Sequence, residues 1–206
     1  MLNKETYKRK ILKRLFDIFF STVGLIVLSP IFLIVSILIK IDSKGPVFFK
    51  QKRVGQYENI FNIFKFRTMV HNAENIGSQI TIGKDSRITK IGKILREYKL
   101  DELPQLINVF IGNMSFVGPR PEVLKYVSFY TEKEKEIFEI KPGITDLASI
   151  KYSDENFVLG AIDNPEEYYK NVIMKDKLKL NFEYINKMSI FYDFKLIFKT
   201  IFKCLR

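Results

Sequence analysis

The chain has 206 residues and a formal net charge of +11, from 34 Lys and Arg against 23 Asp and Glu. A hydrophobic content of 47% with 19 Phe excludes a disordered tail, and the length allows one domain, with or without an appendage. One cysteine (Cys204) and one histidine (His71) exclude an internal disulfide and a Cys/His zinc site, and leave almost nothing from which to build a histidine triad.

Residues 1–14 carry 6 basic side chains and 1 acidic one. An uncharged run, IFFSTVGLIVLSPIFLIVSILI, then covers 18–39. As a helix it would measure about 33 Å, against about 30 Å for a hydrocarbon core. Ser29-Pro30 interrupts it near the middle, where proline removes a backbone hydrogen bond and crowds the carbonyl of Ile26. The Ser29 hydroxyl is placed to re-bond a freed carbonyl. Basic residues flank both ends: Lys8, Arg9, Lys10, Lys13 and Arg14 before, Lys40, Lys44, Lys50, Lys52 and Arg53 after. A spanning helix wants one flank outside, whereas two positive flanks suit a bent pair that enters and leaves by one face. The residues alone leave spanning and re-entrant readings open.

VFFKQKRVG (47–55) and IFNIFKFRTMV (60–70) read as strands, with turns at Gly45-Pro46 and Gly55-Gln56. ITKIGKILREYK (88–99) has helical spacing. In LDELPQLINVFIGNMSFVGPRPEV (100–123), Pro104 suits the first turn of a helix with an apolar stripe of Leu103, Leu106, Ile107 and Phe110. By spacing alone Asp101 is its N-cap. Gly112 stops it, and Gly118-Pro119-Arg120-Pro121 forms a stiff loop. Residues 54–188 balance at 19 basic and 19 acidic, so the excess charge sits at the edges of the chain. That arrangement favours an anionic membrane surface over nucleic acid. At the C-terminus Ile190, Phe191, Phe194, Ile197, Phe198, Ile201, Phe202 and Leu205 recur at helical spacing beside Lys195, Lys199 and Lys203. This pattern fits a helix lying in the membrane interface or one packed on the protein's own core.

The sequence has no P-loop, no GxGxxG after a strand, no HExxH and no Asp-x-Asp metal pair. Adjacent carboxylates at Asp101 and Glu102 suit magnesium, which takes one or two carboxylates plus water or phosphate oxygens. A carboxylate can also attack phosphorus, and Arg67, Arg96 and Arg120 could clamp diphosphate oxygens. Membrane-associated phosphate chemistry is as far as the residues lead.

KRLFDIFFSTVGLIVLSP (13–30), VFFKQKRVG, FKFRTM (64–69), LREYKLDELPQLINVFIGNMSFVGPRP (95–121) and KPGIT (141–145) stand in the order found in the bacterial sugar transferase family, which this chain resembles over nearly its whole length. These are monotopic polyprenyl-phosphate phosphoglycosyl transferases, and the chain looks like the short members that lack a multi-pass N-terminal domain. The resemblance implies a mainly helical α+β monotopic membrane protein. Residues 1–40 would hold a basic N-terminus and a re-entrant helix broken at Ser29 and Pro30. Residues 41–188 would form a cytoplasmic catalytic domain and 189–206 an amphipathic interfacial helix.

It further implies that Asp101 attacks the sugar-bearing phosphate of a UDP-sugar, releasing UMP, and that polyprenyl (undecaprenyl) phosphate then takes the phosphosugar. Glu102 would assist by positioning Mg²⁺ or handling a proton, with Asp101 and Glu102 as the metal ligands. Lys65, Arg67, Arg96 and Arg120 would contact phosphates. The expected location is the cytoplasmic face of a bacterial inner membrane, among membrane lipids, with later glycosyltransferases of the pathway as partners. Two departures stand out: Asn113 where many relatives have Asp, and Asp146-Leu147-Ala148-Ser149-Ile150-Lys151 after KPGIT, a stretch that bears on nucleotide or sugar recognition. Rival readings are a glycosyltransferase that releases UDP and a non-enzymatic membrane adaptor.

Overall fold

A computed structural model describes residues 4–73, 85–153 and 155–204. The fold is mainly helical α+β, as expected. Helices α1 (Lys4–Val27) and α2 (Ser29–Asp42) meet at Leu28 with a 59° bend. Pro30 has no N–H to give the Ile26 carbonyl, and the Ser29 hydroxyl donates to that oxygen instead at 2.7 Å. The helical ladder resumes on either side, Leu28 N–H to Gly24 O and Phe32 N–H to Leu28 O, both at 2.9 Å. Among the described residues no single helix is long and apolar enough to cross a membrane, although the bent pair together has the length and composition.

Three charged residues of α1, Lys13, Arg14 and Asp17, turn toward the rest of the protein. Arg14 donates to the carbonyls of Val109 (2.6 Å) and Phe110 (2.8 Å), near the end of α4 (Gln105–Ile111), where helical carbonyls lack intrahelical partners. Asp17 is buried and accepts from the Ser115 hydroxyl (3.0 Å) and the Phe116 N–H (3.1 Å). Lys13 pairs with Asp193 in α11 (Ile190–Cys204). The membrane-flank reading of Lys13 and Arg14 is therefore corrected: both fasten α1 to the rest of the protein. Much of what α1 and α2 leave exposed is apolar, including Leu12, Leu15, Phe19, Ile26, Val27, Leu33, Ile34 and Ile41, with Ser29 and Lys40 exposed among them.

Strands β1 (Phe48–Val54) and β2 (Ile60–Phe66) pair antiparallel, with Phe48 opposite Phe66 and Val54 opposite Ile60. Two three-residue strands, β3 (Ser115–Val117) and β4 (Gly143–Thr145), pair in parallel across an excursion through two short helices. Gly112 ends α4 at φ 97°, a left-handed turn that suits glycine. Helix α3 (Lys90–Glu97) starts from a Thr89 cap whose hydroxyl accepts from the Gly92 N–H.

The largest apolar cluster among the described residues gathers Tyr126, Ile137, Phe138, Leu159, Ile173 and Leu178, the last from α10 (Met174–Lys187), which follows the short helices α5 (Leu124–Val127), α6 (Glu132–Lys135), α7 (Leu147–Lys151), α8 (Glu155–Gly160) and α9 (Pro165–Tyr168). A second joins Val35 and Ile39 of α2 to Phe66 and Leu95, so the bent pair is part of the fold's core on one side. Helix α11 packs on the protein's own core along one side and is exposed along the other. Leu196 and Asp193 are buried, whereas Phe191, Phe198 and Phe202 point outward.

Candidate active site

The chain leaves α3 through Lys99, a left-handed residue at φ 56°, and enters a tight 3₁₀ turn at Leu100–Glu102. Leu100 and Leu103, on either side of the two acids, pack on the Val35, Ile39, Phe66 and Leu95 cluster. This anchoring presents Asp101 and Glu102 as successive side chains of a fixed turn. Asp101 makes no capping hydrogen bond, and Pro104 holds the N-cap position of α4. The N-cap expectation for Asp101 is thus corrected, because a separate 3₁₀ turn intervenes.

The two carboxylates have different surroundings. Glu102 accepts from Lys65 Nζ at 2.8 Å and forms a two-pronged ion pair with the Arg120 guanidinium. Burial pushes the Glu102 carboxyl up, but Arg120 and Lys65 outweigh it and hold the group well below the usual carboxylate range. Glu102 is therefore held as an anion between two cations. Asp101 is buried, and none of the described residues donates a hydrogen bond to it. Burial raises its carboxyl above the usual range, opposed mainly by Lys65.

Arg120 is steered by its backbone. Its N–H donates to Asp146 Oδ2 at 3.2 Å. The preceding loop lies against β4, Gly143 N–H to Pro119 O at 3.0 Å. A Cβ on Gly143 would lie 2.1 Å from the Gly118 nitrogen, so only glycine permits this approach. Arg96 Nε donates to Thr68 Oγ1 at 3.0 Å, and Asp101 is the first of the charges that hold it cationic against burial.

Arg67 stands apart from this cluster. Its guanidinium donates to the carbonyls of Ser43 (2.7 Å) and Lys44 (2.9 Å) and to the Ser43 hydroxyl, just beyond α2. Arg67 thereby closes the end of the bent pair, while its buried Nε has no hydrogen-bond partner among the described residues and its side chain lines the same cleft as the acids. The structure brings Lys65, Arg96, Asp101, Glu102 and Arg120 together and sets Arg67 on the wall of that cleft.

Sequence reading missed Arg53, whose guanidinium donates to Gln51 Oε1 and Pro121 O and faces Glu122 at 3.5 Å. The i, i+2 spacing of Gln51 and Arg53 on a strand was an available signal. It also missed Thr68, and it named Asp146 only within the stretch after KPGIT, without its contact to the Arg120 N–H, because both depend on partners distant in sequence.

All these groups line one open cleft of about 2060 Å³. Its wall also includes Phe20, Gly24 and Leu28 at the α1–α2 bend and Lys199, Phe202 and Lys203 of α11, so it joins the charged cluster to the exposed apolar face. As a magnesium site the pair fits in part. Asp101 offers an unengaged carboxylate, whereas Glu102 is already neutralised by two cations, and no group of three or more metal-ligating side chains occurs among the described residues. Magnesium's preference for few carboxylates and substrate phosphates is compatible with that.

Residues 8–206 match the bacterial sugar transferase family. The chain belongs to that family. Among curated relatives it is 36% identical over 202 residues to the UDP-glucose:undecaprenyl-phosphate glucose-1-phosphate transferase of Escherichia coli K12, covering 94% of this chain and 40% of that protein. It is 35% identical to the UDP-N-acetylgalactosamine-undecaprenyl-phosphate N-acetylgalactosaminephosphotransferase of Aeromonas hydrophila, covering 92% of this chain and 43% of that one. It is 38% identical to the exopolysaccharide production protein PSS of Rhizobium leguminosarum, covering 93% and 94%. The chain thus spans about two fifths of the first two relatives and nearly all of the third.

Proposed function

We propose that this family member is a membrane-associated phosphoglycosyl transferase that moves a phosphosugar from a UDP-sugar to polyprenyl phosphate. The observation that carries the reading is the division of labour in the dyad. Glu102 is neutralised by Lys65 and Arg120, while Asp101 beside it is buried, unpaired among the described residues and open to the cleft. A carboxylate kept from hydrogen bonds retains its nucleophilicity, and burial removes the water that would otherwise solvate it. The activities for which the E. coli and A. hydrophila relatives are named supply the substrate class.

In the first half-reaction an Asp101 oxygen attacks the sugar-bearing phosphorus, the bond to the UMP oxygen breaks, and UMP leaves. In the second, a phosphate oxygen of the acceptor attacks that phosphorus and the Asp101–phosphorus bond breaks, restoring the carboxylate. Arg120, Lys65 and Arg96 surround the place where phosphate charge develops and provide preorganised stabilisation. Glu102 keeps the first two in position. A magnesium ion, held by Asp101 with Glu102 nearby, would neutralise diphosphate charge.

The bent α1–α2 pair serves as a re-entrant anchor with both ends on the cytoplasmic face. The exposed side chains of α1, α2 and α11 sit among membrane lipids, so the cleft meets an acceptor phosphate at the bilayer surface. The product would pass to later glycosyltransferases. The test is the nucleotide released from a UDP-sugar panel with undecaprenyl phosphate and Mg²⁺. Release of UMP is expected; release of UDP would replace phosphosugar transfer with sugar-only transfer.

A further inference from the structure

Helix α10 buries a stripe at helical spacing: Met174, Leu178, Asn181 and Tyr184. Tyr184 is polar and fully partnered, donating to Asp193 Oδ1 at 2.7 Å and lying 3.3 Å from Lys13 Nζ. Asn181 is 94% buried, at 6% relative exposure, yet its Oδ1 has no hydrogen-bond partner. A leucine would pack at that position without leaving an acceptor unsatisfied.

Helix α7 (Leu147–Lys151) packs against α10. Its Ser149 N–H is bonded to Asp146 Oδ1, but the buried Ser149 hydroxyl is likewise without a partner. Both Asn181 and Ser149 line the active cleft. Buried polar groups are nearly always hydrogen-bonded, so two unsatisfied ones on facing helices of a substrate cleft describe a ligand's place. Asp146 ties this wall to the phosphate cluster, since its other oxygen accepts from the Arg120 N–H.

The geometry points to Ser149 and Asn181 as a neutral specificity subsite that reads an uncharged hydrogen-bonding group of the donor, beyond its phosphates. The proposal rests on the UDP-sugar reading above. An acceptor at Asn181 Oδ1 calls for a donor on the ligand, and a hydroxyl at Ser149 takes either role. An amide group provides both, and a UDP-sugar carries one in its uracil imide and, in acetamido sugars, another on the sugar.

The test uses full-length protein in detergent carrying Asp101→Asn, which holds donor without turnover, and measures equilibrium binding of UMP and of several UDP-sugars. Adding Ser149→Ala or Asn181→Leu is expected to weaken UDP-sugar binding about tenfold each. Loss for UMP as well assigns the subsite to uracil; loss confined to acetamido UDP-sugars assigns it to the sugar. Without ligand, Asn181→Leu is expected to melt at or above the temperature of its parent, because an unsatisfied polar group is removed. A structural Asn181 would melt lower, with binding restored where the protein is folded, and that result overturns the proposal. Donor binding within twofold of the parent in both variants overturns it as well. Release of UDP by the wild-type protein would instead remove the phosphosugar reading and leave the subsite's binding loss intact, so the two failures are distinguishable.

Discussion

The bent helical pair and the active cleft solve opposite problems with the same kinds of residue. In α1 three charged side chains turn inward, Arg14 onto carbonyls of α4, Asp17 onto β3 and Lys13 onto α11, and much of the outer face is left to Ile, Leu, Val and Phe. In the cleft the charges cluster with one another, and one carboxylate, Asp101, accepts no hydrogen bond from any of the described residues. A buried ionisable group in that state costs stability, and natural folds tolerate such costs at functional sites. The helical pair leaves an apolar face exposed, and the cleft leaves a buried carboxylate without a donor among the described residues.

Removing the unpartnered carboxylate should produce the largest effect. Asp101→Asn is expected to lower turnover by at least about 10³-fold, on the scale of losing a catalytic nucleophile, with circular dichroism unchanged. The same substitution should stabilise the fold at pH 7. A carboxyl raised on folding contributes its stability below the unfolded-state pKa, and that contribution is lost as pH rises through the folded value. Melting should therefore rise, by about 2–4 °C for each kcal/mol recovered. In the wild type, activity should fall on acidification at a higher pH than an ordinary aspartate would give.

The next effect sharpens the contrast within the dyad. Glu102→Gln strips the counter-charge from Lys65 and Arg120 and is expected to reduce kcat about 10²-fold. It should also destabilise the protein by about 2 kcal/mol, below the full value of a buried pair because Arg120 is 38% exposed. Gly143→Ala forces a Cβ onto the Gly118 nitrogen and displaces the loop carrying Arg120. A 10- to 100-fold loss of kcat/KM with Asp101 untouched is expected; an unchanged rate would show that this loop does not position the site. Arg14→Ala tests the adhesive region, and thermal melts in detergent should show a loss of about 1–2 kcal/mol with kcat nearly unchanged.

The two regions also differed in how far the sequence revealed them. The β1–β2 hairpin was readable because runs rich in Phe, Ile and Val are local signals, with turns at Gly45-Pro46 and Gly55-Gln56. The break at Ser29-Pro30, and the hydroxyl that repairs it, followed from proline's missing N–H. Charge type did not reveal the carbonyls beyond α2 to which Arg67 donates. Parallel pairing of β3 with β4 and the Arg120–Asp146 contact join residues more than twenty positions apart and leave no periodic trace. The candidate dyad came from its motif, but the neutralisation of one acid and isolation of the other depend on tertiary placement of Lys65 and Arg120.

The central claim is that Asp101 carries the phosphosugar between donor and acceptor. Incubating the protein with a UDP-sugar and Mg²⁺, without polyprenyl phosphate, and mapping the digested chain by mass spectrometry tests it most directly. The account predicts one phosphosugar adduct on the peptide containing Asp101, lost when polyprenyl phosphate is added and absent from Asp101→Asn. An adduct on another residue, or acceptor-dependent turnover with no adduct under conditions that should trap it, would contradict it.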